Sequence, residues 1–275
     1  MSPVMEAALA ALIPGVVSGL IILSSRRLGA SVAALAVPCA YFCTHTFLLG
    51  LPELDAGATT ERLPWLALLF GALFASFALR PGRFGRTLLL LACLFAVWWV
   101  TESARESQLS GTSGFILSCL LLLLCMTSSQ LASPAARVAL SWTAPALVSL
   151  VALLLAPALV LGRSAVLGQL CGAICAASVA ATVLSKVSGE RESGAFVAAV
   201  AGPMIILMAA CGALYAYLDP WAAACFGLAS ISLALGFKRG GGWSQARVVG
   251  AVSALCLLGL WLAYQGAPAP TPYDY

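Results

Sequence analysis

Long apolar runs separated by short polar segments recur along the whole chain. Each run is apolar on all sides of a helix, and none contains an acidic residue, a lysine or an arginine. A helix that crosses the hydrocarbon core of a bilayer needs about 20 such residues, with a range of about 17–25. The pattern predicts ten spans, which are Ala7–Ser24, Ala30–Leu51, Leu63–Leu79, Thr87–Thr101, Gly114–Leu131, Val138–Leu161, Ala165–Leu184, Ala195–Leu218, Trp221–Phe237 and Val248–Gln265.

These runs predict an all-α fold, a polytopic integral membrane helix bundle with about ten transmembrane helices. The third, fourth and ninth runs are short, so a count of eight or nine stays open. A strand barrel is not expected, because the alternation of polar and apolar residues that it requires is absent. Residues 1–265 are predicted to form a single transmembrane domain, since no connection is long enough for a soluble one. Residues 266–275 are predicted to form a polar, proline-rich tail.

Composition agrees with lipid as the solvent. Of the 275 residues, 62% are hydrophobic and only 9% are charged, whereas a soluble domain contains about 25% charged residues. The mean hydropathy is +1.02. We therefore expect an integral, multi-pass protein of a bacterial cytoplasmic (inner) membrane.

Basic residues predict the orientation, because short cytoplasmic loops are enriched in lysine and arginine. If all ten runs cross and the N-terminus lies outside, three basic residues face outwards, Arg62, Arg105 and Arg163. The other eleven face the cytoplasm, and they are Arg26, Arg27, Arg80, Arg83, Arg86, Arg137, Lys186, Arg191, Lys238, Arg239 and Arg247. This asymmetry predicts that the N- and C-termini both lie on the non-cytoplasmic side.

The ten cysteines all fall inside apolar runs. Disulfide scaffolds and zinc sites need clustered cysteines in loops, so we interpret these thiols as small buried hydrophobic groups. No metal site and no cofactor is expected.

The chain contains one histidine, His45, in the second run. Tyr41 and His45 share one face of a helix, whereas Cys39 and Cys43 share another side, so these groups do not surround a metal. Ionisable groups inside a membrane are functional candidates. We therefore expect Tyr41, His45 and Gln169 to line an outward-facing cavity. With no carboxylate in any run, a structural hydrogen bond of His45 to a neighbouring helix is the favoured alternative.

An enzyme is not expected, and no catalytic residue is assigned. The chain has no P-loop and no metal-binding spacing of cysteine and histidine. The sequence Gly-Thr-Ser-Gly at 111–114 has the form found around the nucleophile of intramembrane serine proteases, which use a histidine located after the serine. No histidine follows position 45. Five acidic residues are interpreted as solvated loop acids that mark topology, namely Glu53, Asp55, Glu61, Glu102 and Glu106.

Two functions stay open. The first is a small transporter-like or permease-like carrier of a neutral or apolar solute. The second is a non-catalytic structural or assembly subunit of a larger membrane protein complex. The carrier is favoured, because a chain without an extramembrane domain offers a partner few surfaces except its lipid face. Membrane lipids are expected partners, a homodimer or other membrane subunits are further candidates, and nucleic acid is not expected.

Overall fold

The computed structural model describes residues 3–53, 59–79, 83–107, 111–129, 142–188, 191–236 and 242–267. These residues form ten α-helices, which are α1 (Pro3–Leu28), α2 (Ala36–Leu49), α3 (Thr59–Leu79), α4 (Arg83–Ser107), α5 (Gly111–Ser129), α6 (Thr143–Leu161), α7 (Ala165–Ser188), α8 (Arg191–Tyr215), α9 (Pro220–Gly236) and α10 (Gly242–Gln265). A short 3-10 helix, η1 (Ala30–Leu35), lies between α1 and α2. The predicted all-α fold is confirmed for the described residues.

Each predicted run coincides with one of the ten helices. The helices continue past the runs where charged residues flank them, and α4 shows this most clearly, since it begins at Arg83 and ends at Ser107. An apolar run ends at the first charged residue, whereas the backbone hydrogen bonds of the helix continue past it. Residues 130–131 and 138–141, at the ends of the fifth and sixth predicted runs, lie outside the described residues.

The second run differs from the prediction at its beginning. A backbone break separates α1 from η1 at Gly29, whose φ of +108° is a conformation that favours glycine. Residues 30–35 then form the 3-10 turn, and α2 begins at Ala36. Pro38 therefore lies in the first turn of α2, where its missing N–H leaves no hydrogen bond unmade.

Five helical segments are long and apolar enough to cross a membrane. They are Ala30–Leu49, Thr143–Leu161, Ala165–Val187, Glu192–Tyr215 and Gln245–Gln265. Shorter apolar segments occur in α4, α5 and α9. These are the segments expected of an integral membrane helix bundle.

The centre of the bundle is α8. Eighty-nine per cent of its apolar window is buried inside the protein, compared with 28% for α10. Helices α2 to α7, α9 and η1 all contact it. Alanine and glycine are frequent along α8, and small residues of this kind let neighbouring backbones approach closely in a membrane.

A second contact region joins α1, α7 and α6. The Ser18 hydroxyl of α1 donates a hydrogen bond to the carbonyl of Ala177 in α7 at 2.9 Å. The Cys171 thiol of α7 donates to the carbonyl of Ala152 in α6 at 3.4 Å. These bonds partner polar groups that lipid could not satisfy.

Helix α7 packs closely against α6 at Gly168. A Cβ on Gly168 would lie 2.6 Å from Cγ2 of Val160 and 3.0 Å from the backbone oxygen of Ala156. We expect Gly168→Ala to destabilise the protein by about 1–3 kcal/mol, the usual cost of overpacking. The measurement is the temperature at which buried cysteines become reactive to a thiol dye in detergent.

The control for this prediction is Gly172→Ala, one turn further along α7. A Cβ on Gly172 would have no neighbour within 4 Å. This variant therefore reports the helix propensity of alanine alone and should unfold no earlier than the wild type. Equal unfolding temperatures for the two variants would contradict close packing of α6 against α7.

Candidate functional site

His45 lies in the last turns of α2 and is completely buried. Neither ring nitrogen has a hydrogen-bond partner among the described residues. Its Nε2 atom is 3.7 Å from Oε2 of Glu61 in the first turn of α3. That separation exceeds a hydrogen bond, but it makes an ion pair when the imidazole is protonated. The interpretation of His45 as a histidine without a nearby carboxylate is therefore wrong.

The Glu61 side chain connects the buried imidazole with the surface. Its side chain is 22% exposed, and Oε2 accepts a hydrogen bond from the backbone N–H of Glu53 at 3.3 Å. The chain turns back from α2 at Gly50, whose φ is +94°. A carboxylate in the first turn of a helix is stabilised by the helix dipole. Glu61 thus lies in the first turn of α3, partly exposed and within ion-pair distance of the buried imidazole.

A stronger ion pair lies beside this one and joins α3 to α4. Nη1 of Arg62 donates a hydrogen bond to Oε2 of Glu102 at 2.6 Å and another to the carbonyl of Trp99 at 3.1 Å. The guanidinium also lies 5.5 Å from the centroid of the Trp99 ring. Both charged side chains are mostly buried, at 14% and 30% exposed. We call His45, Glu61, Arg62 and Glu102 together the charged cluster.

The interpretation of Glu61 and Glu102 as solvated loop acids is therefore wrong. Both residues lie in helices and both pair with a side chain of the charged cluster. Glu53 is exposed, and only its backbone contacts the cluster.

Tyr41 is buried one turn before His45. Its hydroxyl donates to Sδ of Met208 in α8 at 3.5 Å, so a polar group of α2 contacts the central helix. Gln169, near the start of α7, is exposed. The structure thus places Tyr41 and His45 in the interior and Gln169 on the surface, and a cavity lined by all three side chains stays a prediction.

An apolar pocket with a volume of about 530 Å³ lies between α5, α8 and α9. Its walls come from residues within 117–124 of α5, 206–214 of α8 and 220–228 of α9. All of them are leucine, isoleucine, alanine, glycine or proline. Neither Tyr41, His45 nor Gln169 lines it. We refer to it as the apolar pocket.

The apolar pocket was not predicted from the sequence, because only polar residues within apolar runs were considered as candidates and the pocket is lined by apolar ones. The available signal was the run of small residues in α8 and α9, including Ala209, Ala213 and Gly227, opposite leucines of α5. Small side chains on two helices leave space that leucines of the third do not fill. The same residues also occur in ordinary close packing, so the signal is weak.

The described residues contain no group of three or more histidine, cysteine, aspartate or glutamate side chains that could hold a metal ion. All ten cysteines are free thiols. Six are buried and three are half-buried, and Cys119 is exposed.

The fold and the site define the class of protein as an all-helical bundle. It has long apolar helices, a charged cluster at one end and an apolar pocket on its side. Comparisons with protein-family models, with curated proteins and with solved structures found no match. The functional argument therefore depends on the geometry of this chain.

The Arg62–Glu102 pair generates a prediction. We expect Arg62→Gln to lower the stability of the bundle by about 1–2 kcal/mol, because a charge-assisted hydrogen bond between α3 and α4 is lost. The measurement is the unfolding temperature in detergent. Glu102→Gln should have a similar effect, and the double variant should cost less than the sum of the two.

Arg105→Gln is the matched control. The Arg105 guanidinium contacts the carbonyl and the ring of Trp98, both within its own helix α4. Its removal should leave the unfolding temperature close to that of the wild type. Additive effects of the Arg62 and Glu102 substitutions would show that their pair does not stabilise the bundle.

Proposed function

We propose that this protein is a multi-pass membrane carrier that takes an apolar solute from the bilayer into the apolar pocket. The observation that carries the proposal is the pocket itself, whose walls contain no polar side chain. Its volume of about 530 Å³ lies within the range of about 300–1,000 Å³ that is usual for ligand sites. The solute class is therefore narrowed from neutral or apolar to apolar.

The shape of the pocket favours a hydrocarbon chain as the occupant. The walls on α8 and α9 each extend over eight residue steps, which is about 12 Å along a helix. The lining is aliphatic rather than aromatic, as suits an extended chain that lies parallel to the helices. Leu120 and Leu228 are about half exposed, at 50% and 49%, so the pocket opens towards the lipid face.

The helix that supplies one wall of the pocket, α8, contains a proline just before that wall begins. Pro203 lies within α8, three residues before Ile206 at the inner limit of the pocket. A proline inside a helix removes one backbone hydrogen bond and favours bending there. A carrier needs such a local change of shape to release its solute.

The carrier proposal includes a topology in which all ten helices cross a bacterial cytoplasmic membrane and both termini lie outside. The basic-residue asymmetry supports it. Contacts between helix ends are consistent with the alternation. The end of α1 meets the start of α8 through the Ser25 and Ser193 hydroxyls, 3.4 Å apart, and Tyr215 at the end of α8 donates to the carbonyl of Val100 near the end of α4 at 2.6 Å.

A C-terminal fusion tests this topology. We expect alkaline phosphatase fused to the C-terminus to be active, because it would be exported, and green fluorescent protein at the same position to be dark. Fusions after Ser188, in a proposed cytoplasmic connection, should give the reverse result. A fluorescent C-terminal fusion would place the C-terminus in the cytoplasm and would overturn the proposed topology, through either an inverted orientation or an odd number of crossings.

The second candidate, a structural subunit of a larger complex, is favoured by one observation. Helix α10 has only 28% of its apolar window buried, so its outer face is available to another membrane protein. Extraction in mild detergent separates the candidates. A chain of 28.2 kDa that migrates alone or as a homodimer supports the carrier, whereas a stoichiometric complex with other membrane proteins supports the subunit.

Filling the apolar pocket tests the carrier directly. Ala224 is an exposed residue at the pocket wall on α9. We expect Ala224→Trp to reduce, several-fold, the labelling of α5, α8 and α9 by an alkyl chain that carries a photoreactive diazirine. It should also slow the transbilayer movement of an NBD-labelled single-chain lipid in proteoliposomes, measured by dithionite quenching.

Ala254→Trp serves as the control, because Ala254 is an exposed residue of α10 outside the pocket. It adds the same side chain to the lipid face and should leave labelling and lipid movement unchanged. Equal behaviour of the two tryptophan variants, or labelling spread evenly over all helices, would overturn the proposed binding site.

A further inference from the structure

We propose that His45 and Glu61 form a proton-binding pair that links the adjoining ends of α2 and α3 and is coupled through Tyr41 to the wall of the apolar pocket. A role of this pair in controlling the solute rests on the proposed carrier function. The proton site and its mechanical coupling depend only on the contacts of this chain.

The buried imidazole of His45 has no hydrogen-bond partner among the described residues. A neutral histidine has one ring nitrogen that donates and one that accepts a hydrogen bond, and in His45 both are buried without a partner. Burying polar groups in this way is unfavourable. A protonated imidazole, in contrast, has the Glu61 carboxylate 3.7 Å away. A movement of less than about 1 Å brings the two groups to the distance of a charge-assisted hydrogen bond.

Glu61 gives the buried imidazole of His45 access to solvent. His45 has no exposed surface, whereas Glu61 is 22% exposed. The carboxylate therefore contacts solvent on one side and the imidazole on the other. A proton reaches Nε2 of His45 by way of Glu61, without passing through the hydrocarbon.

The neighbouring charged side chains on α3 and α4 pair with each other and not with His45. The Arg62 guanidinium is engaged by Glu102 and by a backbone carbonyl. Glu53, in the segment after α2, is exposed and contributes its backbone N–H to Glu61. Glu61 is thus the only carboxylate recorded within ion-pair distance of His45 among the described residues.

The other helices packed against α2 offer no competing charge in this region. Along α2 itself the titratable groups are Tyr41 and the thiols of Cys39 and Cys43. Helices α7 and α8 contribute the thiols of Cys171 and Cys211 beside Tyr41. The segments of α1 from residue 9 to 25 and of η1 contain no charged residue.

Side-chain contacts connect α2 with the wall of the apolar pocket. Tyr41 lies one turn from His45 on the same face of α2, and its hydroxyl contacts Sδ of Met208. The residues next to Met208 in α8 include Ala209, which lines the apolar pocket. A shift of α2 that follows protonation of His45 therefore reaches the pocket wall through one side-chain contact.

The composition of the chain provides two spectroscopic probes for the test. His45 is the only histidine, and the chain has five methionines. The full chain, purified with a histidine-free tag, is labelled with ¹⁵N in the imidazole and with ¹³C in the methionine methyl groups. Loss of one signal in Met208→Leu assigns the Met208 methyl.

We expect the imidazole and the Met208 methyl of the wild type to respond to pH with the same midpoint. Glu61→Gln should change the pH response of both signals, because the imidazole loses the carboxylate that lies 3.7 Å from it. Glu53→Gln, which retains the backbone N–H, should change neither. Tyr41→Phe should preserve the imidazole response and abolish that of the methyl.

An unchanged imidazole midpoint in Glu61→Gln would overturn the proton-binding pair. A Met208 methyl that ignores pH while the imidazole responds would overturn the coupling. Neither result depends on a solute, so failure here is distinct from failure of the carrier, which the photolabelling of the apolar pocket reports.

Discussion

The burial of α8 inside the bundle is the constraint on which the other features depend. Lipid tails are as apolar as the helix surface, so the hydrophobic effect alone does not hold a helix at the centre of a membrane bundle. Close packing of small residues and a few interhelical hydrogen bonds must do so. Most of the other helices contact α8. Its middle contacts Tyr41 of α2 on one side and forms a wall of the apolar pocket on another.

The charged cluster and the apolar pocket lie in different parts of the bundle. The charged cluster occupies the end of α2, the start of α3 and the end of α4, where Glu61 still touches solvent. The apolar pocket extends along α5, α8 and α9 and contains no polar side chain. Water near the charged cluster satisfies ionised groups at little cost, whereas the same groups in the pocket would be unpartnered. This separation would let one chain combine the proposed proton site with the proposed apolar binding site.

The sequence alone could predict the helices but not their contacts. The ten apolar runs correspond to ten helices. Such runs can be read directly from the sequence, because the hydropathy of each residue depends only on its identity. The contact between His45 and Glu61 was missed because Glu61 lies outside the apolar run, although it belongs to the first turn of α3. Only the reversal of the chain after Gly50 brings the two together. That Tyr41, His45 and Gln169 share a cavity stays a prediction, and the exposed position of Gln169 gives it no support.

The central position of α8 also limits how the pocket can change. A rigid displacement of a helix that is 89% buried would disturb most of the contacts in the bundle, since close-packed interiors transmit strain. Local changes are far less costly. Pro203 has already removed a backbone hydrogen bond from α8, and Met208 has a flexible side chain that adapts to its surroundings. Met208 is the residue that Tyr41 contacts, directly beside the lining residue Ala209, and Pro203 lies five residues before it in α8. A small movement of α2 therefore has a route to the pocket that leaves the rest of the bundle in place.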